Sequence, residues 1–237
     1  MKIFLILLSF LFLFGSSQEK KNFAVKTGWT TISEVISLYR NLDDNGLSFE
    51  AFRLAIIGLK KLQQGQELIN DTLLTIVDFN KPSSQKRLYI IDLKNQCVIE
   101  KSLVAHGKET GALYARNFSN QPGSRMSSLG FFLTGQTYYG KHGYSLRIKG
   151  LEQGINNNAL ERDIVFHGAD YVNNNFVLAY GRLGRSFGCL ALPIDKNQEV
   201  IDLIKDQVCV FAYYRSATYF KNSSFTKDAT YSLQTAE

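Results

Sequence analysis

One cysteine and one histidine in this chain have the right types and setting for covalent chemistry. His167 follows the apolar run Ile164-Val165-Phe166, and Cys189 lies in Ser186-Phe187-Gly188-Cys189, 22 positions later. A free thiol has a pKa of about 8.5, so only a few per cent is thiolate at neutral pH. An imidazole within reach removes the proton and produces a nucleophile that attacks acyl carbonyls. Gly188 lets the backbone approach a substrate closely, and the adjacent N–H groups of Gly188 and Cys189 offer donors to an oxyanion. Asn173-Asn174-Asn175 reads as the turn that folds the chain back, between Ile164-Val165-Phe166 and Phe176-Val177-Leu178.

At these residues the chain resembles the YkuD-like L,D-transpeptidases, which cross-link bacterial peptidoglycan through a cysteine acyl-enzyme. His167-Gly168 and Ser186-x-Gly188-Cys189 match the family pattern, and the resemblance extends over roughly 73–214. Phe187 stands where the family usually has a histidine, and Ala191 where many members carry arginine or asparagine. That suits a divergent branch with a Ser-x-Gly-Cys motif. The resemblance implies Cys189 as nucleophile, His167 as base and a backbone carbonyl near Gly168 to fix the imidazole tautomer, with Asp170 as the alternative orienting group. It implies peptidoglycan stem peptides as substrate and no cofactor. Hydrolysis of the same thioester (an L,D-carboxypeptidase) and a non-catalytic wall-binding domain are the rival readings.

Other residues form a second tier. Arg185, and after it Arg182, could hold a substrate carboxylate through the planar guanidinium fork, against the plainer reading of solvated surface. Ser186 orients backbone or substrate. His106, His142 and Tyr138 lie in glycine-rich stretches and are candidates for the substrate wall. The three histidines lack nearby carboxylates at ligand spacing, and there is no CxxC, so no metal site is expected. Cys97 and Cys209 sit in strand-like runs and read as unpaired core thiols, with a disulfide between them as the alternative.

These residues need elements to position them. Hydrophobic residues make up 45% of the 237-residue chain and charged residues 20%, which is globular composition. Residues 1–17 read as a secretory signal peptide: Lys2, an apolar run Ile3–Phe14, then small residues. The run is short for a membrane span, so the expectation is an exported protein of the periplasm or cell envelope, without stable membrane insertion. The formal charge of +6 suits an anionic polymer, and export argues against nucleic acid.

Residues 18–70 hold a polar lead-in and a helical hairpin. Thr31-Ile32-Ser33-Glu34 is a capping box, Asp43-Asp44-Asn45-Gly46 a break, and Ser48 a second cap. Residues 71–215 read as a mainly β catalytic domain, a sandwich or barrel. Strands are expected over Leu73–Phe79, Arg87–Leu93 and Val98–Val104, a helix over Ile194–Lys205, and a strand over Val208–Tyr214. Ala105–Leu160 reads as a polar region of loops that shape a groove, and 216–237 as a loose polar tail.

Overall fold

The computed structural model describes residues 31–65 and 70–227. The signal-peptide reading, the lead-in and the last ten residues of the expected tail lie outside the described residues. Helix α1 (Ile32–Asn41) starts at the expected capping box. The Thr31 hydroxyl accepts from Glu34 N–H at 3.3 Å, and the Glu34 carboxylate accepts from Thr31 N–H at 2.8 Å. Helix α2 (Phe49–Gln64) is capped by Ser48, whose Oγ accepts from Ala51 N–H at 3.3 Å. Between them Asp44 accepts from Gly46 and Leu47 N–H and pairs with Lys101 at 2.8 Å, so the acidic break is a local turn anchored to the sheet.

Eight strands follow: β1 (Asn70–Asp78), β2 (Leu88–Asp92), β3 (Cys97–Ser102), β4 (Gly130–Gly140), β5 (Gly143–Gly150), β6 (Val165–Ala169), β7 (Leu190–Pro193) and β8 (Val208–Tyr213). They form one sheet in the order β3-β2-β1-β8-β4-β5-β6-β7. Its two ends meet where Ala105, three residues beyond β3, donates to the Ala191 carbonyl of β7 at 2.8 Å. The fold is thus mainly β and nearly closed, as the sequence predicts. Helix α4 (Ile194–Ile204) and β8 lie where periodicity places them. Cys97 and Cys209 are both free thiols; Cys209 is buried in the core, whereas Cys97 is only half-buried on β3.

Three sequence expectations need correction. The Ala105–Leu160 region is not coreless, because β4 and β5 lie within it and Phe131, Phe132 and Leu133 are buried. Gly130 and Gly135, on either side of Phe131-Phe132-Leu133-Thr134, mask the strand in the sequence. Phe176-Val177-Leu178 is not a returning strand but part of helix α3 (Asn174–Tyr180). Asn173 is its cap, accepting from Phe176 N–H at 2.7 Å, and Gly181 closes it at φ +69°. The third correction concerns the tail, since residues 217–222 form helix α5 (Ala217–Asn222) with Tyr219 and Phe220 buried. Glu152, itself buried, accepts from Phe131 N–H at 2.8 Å, Tyr219 Oη at 3.0 Å and the Ser223 hydroxyl, binding α5 to the sheet.

Helix α2 lies close on the sheet at Gly58, where a Cβ would sit 2.0 Å from the Phe131 ring. Phe131 in turn stacks on Phe211 of β8 with centroids 4.3 Å apart. Gly58→Ala improves helix propensity by about 1 kcal/mol but overpacks this contact at about 1–3 kcal/mol. The expected outcome is a lower urea midpoint; a midpoint at or above that of the parent chain would show that Phe131 can move aside.

Candidate active site

The residues of interest lie on, and just before, the β6–β7 pair. These strands are parallel, with His167 opposite Ala191. Cys189 immediately precedes β7, and the register Phe166 to Leu190 sets it level with Val165 at the start of β6. Parallel neighbours require a crossover, which α3 supplies. His167 is 3% exposed and Cys189 half-buried. The His167 Nδ1–H donates to the Gly168 carbonyl at 2.9 Å, the orienting contact expected from the resemblance, and this leaves Nε2 as acceptor. Asp170 is exposed, and no hydrogen bond joins it to the ring among the described residues.

The Cys189 Sγ–H donates to the Asp163 carbonyl at 3.3 Å rather than to the imidazole. Asp163 has φ +51°, so the acceptor is presented by a residue in the left-handed region. Burial raises the Cys189 pKa above that of a free thiol, and Asp163 raises it further. The Val165 N–H, Arg162 and Lys141 pull it back. Burial likewise lowers the His167 pKa, against the opposing Gly168 contact, and His142 and Lys141 lower it further. Both shifts favour a neutral thiol beside a neutral imidazole.

Ser186 is a fastener for this loop. Its Oγ donates to the Cys189 carbonyl at 2.7 Å and accepts from Gly188 N–H at 3.1 Å. The Gly188 amide is therefore engaged within the loop. Gly188 has φ +127°, and a Cβ there would meet the Met126 carbonyl and Ile164 Cδ1 at 2.8 Å each. Ser127 donates to the Gly188 carbonyl at 3.0 Å and accepts from Gly107 N–H at 3.0 Å.

The second-tier residues separate. His106 is 1% exposed and belongs to no substrate wall. Its Nδ1 accepts from Arg87 at 2.7 Å, and burial with Arg87 alongside pushes its pKa down to about 3. Its carbonyl holds Ser186 N–H at 3.0 Å, so it supports the motif through the backbone. His142 is exposed and stacks on His167, with centroids 4.4 Å apart. Tyr138 lies under the Arg147 guanidinium at 4.5 Å, and Arg147 reaches Asp163 at 3.7 Å. Arg185 donates to the Lys108 and Gly111 carbonyls at 3.2 and 3.1 Å, and Arg182 to the Leu183 carbonyl at 2.7 Å. Both arginines line a cleft of about 330 Å³ with Lys108, Tyr171 and Phe176. Burial, with Cys189 and Asp170 adding to it, pushes the Tyr171 pKa up to about 12.

Phe187 is 69% exposed and lies against the Arg125 guanidinium at 5.0 Å, on the rim. Ala191 is fully buried and pairs with Ala105, so an arginine has no room there.

Arg162 escaped the sequence reading. Its Nη1 donates to the Ser119 carbonyl and Ser128 hydroxyl at 2.6 Å each, and its Nη2 to the Met126 carbonyl at 2.6 Å and the Ser124 hydroxyl at 3.2 Å. It thus pins residues 119–128 beside Gly188 while its charge favours the Cys189 thiolate. A lone arginine in a polar stretch carries no spacing signal.

The chain is thus a nearly closed mixed β domain with a thiol just before β7 and an oriented imidazole on β6. Residues 43–213 match the L,D-transpeptidase catalytic domain family, and the chain belongs to that family. No curated protein matches. Among solved structures, an L,D-transpeptidase from Mycobacterium smegmatis is 13% identical with TM-score 0.38, over 60% of this chain and 59% of that one. The helical cell shape determining protein Pgp2 from Campylobacter jejuni is 17% identical with TM-score 0.40, over 76% of this chain and 64% of that one. The chain thus spans less than two thirds of the length of either structure.

Arg162→Met is expected to free residues 119–128, seen as faster backbone hydrogen exchange, and to slow acylation of Cys189 about 10- to 100-fold. Unchanged exchange would show that other contacts hold the segment.

Proposed function

We propose that the protein is an L,D-transpeptidase acting on peptidoglycan stem peptides outside the cytoplasm. What supports this reading is that Cys189 immediately precedes β7, the parallel neighbour of the strand that carries His167, and that His167 Nδ1–H is tied to the Gly168 carbonyl. Cys189 Sγ attacks the carbonyl of the third stem residue, a diamino acid, while His167 Nε2 takes the thiol proton. The Cys189 N–H stabilises the oxyanion. The C–N bond to the terminal D-amino acid breaks, and His167 returns the proton to the leaving amine. An amine of a neighbouring stem then attacks the thioester, forming the cross-link and releasing the thiol.

Arg185 and Arg182, with Lys108 in the same cleft, bind a stem carboxylate; Arg185 keeps Nε and Nη2 for that purpose beyond its two carbonyl contacts. Secretion follows from the apolar run Ile3–Phe14 and the small residues after it.

Cys189→Ala is expected to abolish the acyl-enzyme adduct seen by intact-protein mass after incubation with muropeptides. An adduct that persists in this variant removes the nucleophile assignment. Products with an added acceptor amine decide the second step: a cross-link supports transpeptidation, and shortened stems alone indicate a carboxypeptidase. Binding to sacculi with no covalent labelling by a carbapenem would mark a wall-binding domain instead.

The pH dependence follows from burial. A base must be unprotonated to act, and a lowered pKa keeps His167 neutral to more acidic pH than free imidazole, which titrates near about 6.5. The acid limb of the acylation rate is therefore expected below that value, and a limb above it would contradict a desolvated base.

A further inference from the structure

The β4–β5 hairpin turns at Lys141-His142 and lays the His142 ring on His167, with centroids 4.4 Å and planes 25° apart. Offset stacking of this kind is an attractive aromatic arrangement. The hairpin has little choice of direction, since Ser145 of β5 pairs with His167 of β6 and Gly143 takes φ +74° at the turn. His142 is exposed while His167 is almost wholly buried, so the outer ring covers the inner one. We propose that His142 is a positioning residue for the base: its ring roofs His167 and holds the Cys189–His167 couple at rest as neutral thiol and neutral imidazole.

This rests on Cys189 and His167 acting as nucleophile and base. The roof works in two ways. It keeps water from the His167 face, and any positive charge on the turn opposes a second charge on the ring beneath. Lys141 acts in the same sense from the same turn. Around the thiol, Asp163 opposes the thiolate, whereas Arg162 and Lys141 favour it. A resting thiol is less open to oxidation and alkylation than a thiolate. The thiolate–imidazolium pair then forms only when His167 takes the proton during attack.

The test measures iodoacetamide alkylation of Cys189 between pH 5 and pH 8, read by mass on the Cys189 peptide so that Cys97 and Cys209 do not interfere. His142→Ala removes the covering ring, which opposes protonation of His167, and is expected to raise the proton affinity of His167. The rising limb should move to higher pH by half to one unit, and labelling on the plateau above it should be about 3- to 10-fold faster. His142→Phe keeps the cover and removes the ring nitrogens, and its limb should fall between the two. On a His167→Ala background the effect of either substitution should vanish, because it passes through that ring. A His142→Ala profile that overlays the parent overturns the proposal, as does an effect that survives His167→Ala. If His167→Ala itself leaves labelling unchanged, the Cys189–His167 couple fails and the reading of the reaction with it.

Discussion

The structure depends on one constraint, the parallel pairing of β6 with β7. Antiparallel neighbours need only a two-residue turn, whereas parallel neighbours need a crossover that leaves the sheet and returns at the same end. Here the crossover runs from Asp170 to Cys189 and contains α3, bounded by its Asn173 cap and left-handed Gly181. Because the strands run the same way, their leading ends lie together, and the residue just before β7 arrives level with Val165, the first residue of β6. That geometry, rather than proximity in sequence, brings the cysteine to the strand that neighbours the histidine's. The Ala105–Ala191 contact closes the sheet on the far side of β7.

A loop that delivers a reactive group needs restraint, and here the restraint is hydrogen bonding more than packing. Ser186, Ser127, His106 and Arg162 join four separate segments around Gly188. Each buried hydroxyl serves twice: Ser186 Oγ donates to Cys189 O and accepts from Gly188 N, and Ser127 Oγ donates to Gly188 O and accepts from Gly107 N. A buried polar group left unpaired costs about 1–3 kcal/mol, so loss of one member disturbs the others. The same network accounts for the serine of the motif, which holds the turn. It requires glycine at 188, because neighbouring backbone fills the space where a Cβ would go.

Some of this was legible in the sequence and some was not, for physical reasons. The capping box at Thr31, the Ser48 cap, α4 and the strands β1, β2 and β8 follow local rules, in which side chains a few residues apart meet. Gly168 as tautomer anchor followed from the resemblance and needed only one neighbouring residue. The misses share a different cause. Strand β4 is marked by Phe131-Phe132-Leu133 between glycines, too brief a run to announce a strand without its partner β8. Helix α5 depends on the buried Glu152 carboxylate, which lies 67 residues before Tyr219. Arg162 and the stack of His142 on His167 arise from long-range contacts with no periodicity to reveal them. His106 looked like a site residue because it adjoins a glycine, yet Arg87 claims its ring from the core.

The departures from the family pattern can be understood from the same contacts. At 191 the side chain faces Ala105 across the closing bridge, so a small residue is what permits the sheet ends to meet, and a cation there would be buried against an alanine. A carboxylate-binding function, if this site has one, must then come from elsewhere, and three cations already line the cleft beside Tyr171: Lys108, Arg182 and Arg185. At 187 the exposed ring lies on Arg125, so that position is spent on the rim and gives nothing to the buried imidazole. The only other imidazole in contact with His167 comes from the β4–β5 turn. The two departures therefore act on different faces of the site, one relieving crowding at the closure and the other leaving the His167 ring to be covered from a different strand pair.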